Sequence, residues 1–260
     1  MKQEDSASYK SKKAFYDRVL TVYGRKPALE ALRDKNLQCH TLHLANSNRS
    51  GGIVTELTEA ARARDVPVRE HSREALSRIS KNGKQDQGVA LDILCPAFRS
   101  LQTYLEQLAM LPRQRVLSLD GISNPQNLGM ILRSASAGHI DAVLWSRKGN
   151  AALGPLVIKA SAGTLYRAPL VLCDSQLEAL KALAQKDFEI CSLEANASQS
   201  LFTHKPVGNV AYVLGNETDG VSQPVAKLAD TALSIPMNNG VESLNVAVTA
   251  SLIAYAESIE

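Results

Sequence analysis

Six short apolar runs in the second half of the chain constrain its fold more than any other feature. They are Arg115–Asp120 (RVLSLD), Ala142–Trp145 (AVLW), Pro169–Leu172 (PLVL), Phe188–Ser192 (FEICS), Val210–Leu214 (VAYVL) and Ala232–Ile235 (ALSI). Helical segments lie between most of them. Short runs that are apolar on both faces, alternating with helices, predict a parallel sheet covered by helices on both sides. In such sheets ligands bind beyond the carboxyl ends of the strands. The three most polar, glycine-bearing loops, 120–129, 215–222 and 236–245, stand at three of those ends.

Upstream, residues 18–96 alternate in the same way on a smaller scale. Gly24-Arg25-Lys26-Pro27 leads into a helix over Ala28–Arg33. Strands are expected at Thr41–Ala45, Val66–Glu70 and Val89–Leu94, and helices at Ile53–Arg64 and Arg73–Ile79. This is a compact α/β unit. Residues 1–17 are polar and aperiodic and read as a flexible tail. Residues 97–112 read as a hinge and a linking helix, Leu101–Leu111, ahead of a second domain over 113–260.

Charge follows the same division. Residues 1–100 hold 18 Lys+Arg against 12 Asp+Glu, the rest 11 against 14. The basic half is the better candidate for a polyanion, and the other for a small ligand or a second subunit. Loops around Arg49-Ser-Gly-Gly52 and Ser80–Gln85 suit phosphate and base-edge contacts. Cys39, Cys95, Cys173 and Cys191 are scattered, with no CxxC pair and no histidine at metal spacing. Reduced thiols and no metal are therefore expected. No apolar run approaches the length of a membrane span, so a cytoplasmic protein is expected.

The three loops carry the chemistry. In the first, Asn124-Pro125 marks a helix start, and Asn127 and Arg133 are expected close together on that helix. Arg133 stands in an apolar run, Met130-Ile-Leu-Arg-Ser-Ala, where a charge calls for a carboxylate or phosphate partner. The second loop reads Gly215-x-Glu217-x-x-Gly220, a tight turn with a carboxylate between two glycines. It is not a dinucleotide fingerprint, and no Walker lysine follows. In the third, Asn238, Asn239, Gly240, Glu242, Ser243 and Asn245 crowd a helix start, where backbone N–H groups lack partners. Ordinary capping, by Ser243 for example, also accounts for that crowding.

Together NPQNLGMILRSA, VLGNETDGVS and IPMNNGVESLNVAVTASLIAYA resemble the three motifs of the SpoU (TrmH-like) RNA ribose 2′-O-methyltransferases, of the SPOUT superfamily. The order and intervals agree from Arg115 to Tyr255, and Lys159–Pro169 resembles the family's segment before the middle strand. Val22–Leu32 and Asp86-Gln-Gly-Val resemble the family's N-terminal substrate-binding domain, which is similar to certain ribosomal proteins. Asp86 stands where family members often carry histidine.

The resemblance implies a C-terminal SPOUT domain with a deep trefoil knot, which general topology rules would not propose. It also implies a homodimer through the knot region and S-adenosylmethionine as methyl donor. By motif, backbone groups near Leu214, Gly215, Ile235, Met237 and Leu244 would hold the cofactor. Asn127, Arg133, Glu217, Ser243 and Asn245 would form the catalytic set. Ribosomal RNA is the expected substrate. Transfer RNA is the alternative, as is a non-catalytic RNA-binding or assembly protein of the same fold, which would be expected to have lost Arg133 or Asn245.

Overall fold

The structure, a computed structural model, describes residues 12–13, 15–49 and 51–258. The chain divides into two compact units. One runs to Pro96 and includes Leu153–Pro155; the other comprises Ala97–Ala152 and the chain from Leu156 onward.

The first unit is built on a four-stranded sheet in the order β1-β4-β2-β3, with β1 Val19–Tyr23, β2 Gln38–Ala45, β3 Val68–His71 and β4 Val89–Leu94. Strand β4 is antiparallel to both β1 and β2, and β3 is parallel to β2. Helices α1 (Arg25–Arg33), α2 (Ile53–Arg62) and α3 (Arg73–Ser80) connect them. Helix α1 buries Ala28, Leu29, Ala31 and Leu32, a stripe at helical spacing. Ser72 caps α3 by accepting from Ala75 N at 3.2 Å.

Strand β3 starts later than the sequence suggests. Val66 is buried ahead of the strand, and Pro67 has no N–H to give a ladder and only accepts, from Leu42 N. Asp86, the departure from the family pattern, is fully buried. It accepts from Ser80 Oγ at 2.7 Å and Gly88 N at 2.9 Å and pairs with Arg73 at 3.3 Å, so here it anchors the loop before β4.

The second unit holds an eight-stranded sheet, every neighbouring pair of it parallel, as the apolar runs suggest. Its order is β10-β12-β9-β11-β6-β7-β8-β5. The strands are β5 Arg99–Ser100, β6 Arg115–Asp120, β7 Ala142–Ser146, β8 Leu170–Cys173, β9 Glu189–Leu193, β10 Gln199–Ser200, β11 Val210–Gly215 and β12 Thr231–Ser234. Its helices are α4 Leu101–Gln107, α5 Pro125–Ala137, α6 Pro155–Ala160, α7 Gln176–Ala184, α8 Gln223–Ala226 and α9 Val246–Tyr255. Val116, Leu144, Ile190, Ala211 and Val213 on the strands and Leu180 and Leu183 on α7 share one core. The expected linking helix is α4, and its Tyr104 is buried in that same core.

Helices α5 and α9 pack closely. At Gly138, just past α5, an added Cβ would lie 2.7 Å from Ala254 O, and His139 N donates to that oxygen at 2.8 Å. Strand β11 is inserted between β6 and β9, which are far apart in sequence. The carboxyl ends of β6, β11, β9 and β12 therefore stand side by side.

The expected tail over 1–17 falls mostly outside the described residues. Within them, Phe15 and Tyr16 are helical, and the Phe15 ring lies 4.9 Å from that of His40. Among the described residues no helix is long and apolar enough to cross a membrane, and all four cysteines are free.

Candidate active site

The loops following β6, β11 and β12 are held to one another by side chains. Asn124 caps α5, accepting from Gln126 N at 2.8 Å and Asn127 N at 3.3 Å. That fixes the first turn of the helix, on which Asn127 projects. The Asn127 amide donates to Glu217 Oε1 in the second loop, and its oxygen accepts from Asn245 Nδ2 at 3.2 Å in the third. Asn245 in turn caps α9, accepting from Ala247 N at 2.8 Å. One chain of hydrogen bonds, Glu217–Asn127–Asn245, thus joins all three motifs. The first two loops meet again where Asp120 Oδ2 accepts from Ser222 N at 2.7 Å.

The second loop is a tight hairpin. Asn216 and Gly220 exchange backbone hydrogen bonds at 3.1 Å, and Asn216 Oδ1 accepts from Thr218 N and Asp219 N. A Cβ at Gly215 would run into the Gly220 backbone, which cannot give way. Glycine is required there for close approach of the two strands of the loop.

Beside these loops opens a cavity of about 530 Å³, within the usual range for small-molecule sites. Leu214, Gly215, Ile235, Met237 and Leu244, the five expected cofactor residues, all line it, together with Glu217, Ser243 and Asn245. The lining contains the carboxylates Glu194, Glu217 and Glu242 and no lysine, arginine or histidine. A pocket of that character favours a ligand carrying positive charge.

Four features differ from the sequence expectations. Asn127 and Arg133 are not brought together: six residues at 100° each amount to 600°, which leaves them about 120° apart around the helix. Arg133 lies on the exposed stripe of α5 with Gln126 and Met130, and makes no hydrogen bond or ion pair among the described residues. The expected partner for its charge is therefore not supplied by the described residues. Ser243 is exposed at the cavity rather than capping; Asn245 is the cap. Finally, Leu193 at the end of β9 and Glu194 and Ala195 just beyond it also line the cavity. Their signal was a further strand end, Phe188–Ser192, whose loop is less rich in glycine and amides than the other three.

Comparison with known proteins adds a decisive observation: residues 114–255 match the profile described as the SpoU rRNA Methylase family. The chain belongs to the SpoU rRNA methylase family. Residues 21–94 match a second profile, RNA 2′-O ribose methyltransferase substrate binding. A SpoU relative from Xanthomonas axonopodis pv. citri, named 23S rRNA (guanosine-2′-O-)-methyltransferase RlmB, is 33% identical over 205 residues, covering 78% of this chain and 81% of its own. The solved AdoMet-bound rRNA methyltransferase from Sinorhizobium meliloti shares the fold at a TM-score of 0.62 and 18% identity, covering 98% of this chain and 92% of that one. The SpoU methyltransferase AviRb from Streptomyces viridochromogenes, solved in complex with AdoMet, does so at 0.60 and 20%, over 97% and 92%.

Proposed function

We propose that this SpoU protein is an S-adenosylmethionine-dependent RNA methyltransferase that methylates a ribose 2′-hydroxyl of ribosomal RNA. The observation that carries the reading is the convergence of all five expected cofactor residues on one carboxylate-lined cavity, edged by Glu217 and Asn245. S-adenosylmethionine bears a sulfonium and an ammonium, which suits a lining with three carboxylates and no basic side chain. Gly215 lets the second loop close on itself against the Gly220 backbone at the cavity wall. The relative named for 23S rRNA and the match over 21–94 support ribosomal RNA as substrate.

When bound, S-adenosylmethionine supplies an electrophilic methyl; the side chains supply position and charge. The Glu217–Asn127–Asn245 chain holds the three loops in one arrangement, so the acceptor hydroxyl meets a pre-formed site. A guanidinium is a poor general base. The Arg133 side chain instead binds a substrate phosphate and stabilises the charge that develops on the ribose oxygen as the proton leaves.

Arg133 reaches that position through a second copy of the chain. Met130, Val248 and Tyr255 are exposed apolar side chains on α5 and α9, 45%, 44% and 40% accessible. Arg133 shares the exposed stripe of α5 with Met130 and has no partner among the described residues. A homodimer across these helices would cover the apolar side chains and carry Arg133 toward the partner's cavity. We also propose, on the family match, that the segment from Ile235 to Tyr255 is threaded as a trefoil knot.

Calorimetric titration of S-adenosylmethionine, followed by transfer of a labelled methyl to 23S rRNA and to tRNA, tests the reading. Saturable binding with 2′-O-methylation of rRNA is expected. Binding without transfer to either RNA would point to the non-catalytic alternative, and transfer to tRNA alone would overturn the substrate.

A further inference from the structure

Away from the cavity, the fold assembles three side chains that their sequence positions keep apart. Glu189 opens β9, and Cys191 follows two residues later on the same face of the sheet. His204 comes from the connection between β10 and β11. One ligand atom of each lies within 4.8 Å of the others. His204 Nε2 is 3.0 Å from Glu189 Oε1 and 3.9 Å from Cys191 Sγ. Thr231 Oγ1, at the start of β12, donates to the same carboxylate oxygen at 3.0 Å.

The spacing fits a small cation. Tetrahedral bonds of about 2.0–2.3 Å to nitrogen, oxygen and sulfur separate ligand atoms by roughly 3.3–3.6 Å. The two separations found, 3.0 and 3.9 Å, bracket that range, so small side-chain adjustments suffice. The setting fits as well. Cys191 is buried and the His204 side chain only 6% accessible, whereas Glu189 is 32% accessible. The cluster is closed on the sheet side and open at the carboxylate, which leaves an entry path and room for a water ligand.

The donor set argues that the cluster is more than a packed hydrogen bond: it brings one imidazole nitrogen, one carboxylate oxygen and one thiol sulfur within 4.8 Å of one another, a mixture suited to a borderline-soft divalent cation.

We propose that Glu189, Cys191 and His204 bind one borderline-soft divalent cation of the zinc class, with water in the fourth position. On binding, the Cys191 S–H bond breaks and its proton goes to solvent as the sulfur–metal bond forms. His204 coordinates as neutral imidazole through Nε2, Glu189 as carboxylate, and no group changes oxidation state. The ion ties β9, the start of β12 and the β10–β11 connection together. None of the three residues lines the cavity, so the ion serves the fold rather than methyl transfer.

The test is a cobalt(II) titration of the full-length, chelator-stripped protein. One equivalent should produce a thiolate-to-cobalt charge-transfer band in the near ultraviolet. The band should be lost in Cys191→Ser and His204→Asn and kept in Cys39→Ser. Zinc at a hundredfold excess over its dissociation constant should raise the melting temperature by about 5 °C or more. X-ray absorption on the zinc-loaded wild type, which does not depend on any variant folding, should report one sulfur ligand. Absence of the band, its survival in Cys191→Ser, an unmoved melting temperature, or a sulfur count other than one would each overturn the site.

Discussion

The two sheets each carry a chain of polar side chains that links several elements, but the chemistry of the two chains differs. In the first unit the links are two histidines, an aspartate and a threonine, mostly ionisable and partly to fully buried. Thr21 Oγ1 donates to Asp92 Oδ1 at 2.7 Å, His43 Nε2 donates to Asp92 Oδ2 at 3.1 Å, and His43 Nδ1 lies 2.9 Å from His71 Nε2. These contacts cross all four strands, from β1 through β4 and β2 to β3. Burial alone would raise the Asp92 carboxyl; the hydrogen bonds from His43 and Thr21 together outweigh it and hold it below its ordinary value. Burial, helped by His43 and Arg69, lowers His71.

In the second unit the links are two amides and one carboxylate, Glu217–Asn127–Asn245, at the rim of a cavity. A buried titrating chain stabilises a sheet but ties it to pH. Amides hold loops in place without changing charge near neutrality. That is the better arrangement for a site whose ligand is bound partly by charge.

The contrast breaks first at Arg133. Arg133→Ala is expected to lower methyl transfer by about 10²–10³-fold, while calorimetry finds S-adenosylmethionine affinity within about twofold of wild type. Near-normal transfer would remove Arg133 from the reaction. Next comes Asn127→Ala, which cuts the chain at its centre. Cofactor affinity should fall about tenfold, corresponding to about 1.4 kcal/mol, with little change in melting temperature because the amide is only half-buried. A large loss of stability instead would make Asn127 a fold element.

In the first unit, Asp92→Ala strands the buried His43 donor and the half-buried Thr21 hydroxyl and should cost about 1–3 kcal/mol. Denaturant unfolding reads this, and cofactor affinity should not move. The smallest effect is on pH. A lowered histidine contributes stability that is present above its ordinary value of 6.5 and is lost as pH falls through that value toward the folded one. A lowered Asp92 adds a second loss, below its ordinary value of 3.8 and down through its folded value. Hydrogen exchange should show β1–β4 loosening first on acidification. Loosening of the β6 and β11 ends before β1–β4 would reverse the comparison.

Legibility followed the range of the interaction. The strands of the second sheet were readable because each is buried on both faces and must be apolar throughout. Strand β1 was not assigned from the sequence, although Leu20 and Val22 alternate inward; its partner β4 lies some seventy residues on. The two-residue strands β5 and β10 are too short to carry a period. Asn127, Glu217 and Asn245 stood out by motif, yet that one amide joins the other two groups depends on where α5 crosses the loops.

What the sequence by itself determined is therefore local: the alternation that makes a parallel sheet, the glycine that lets Gly215 lie against Gly220, and the three loops able to hold a ligand. Those features follow from backbone sterics and burial within a few residues. The tertiary structure alone decided which strand ends stand side by side, that Arg133 faces outward with no partner among the described residues, and that Glu189, Cys191 and His204 meet. The reason is physical. Inserting β11 between β6 and β9 brings together residues that no spacing rule connects.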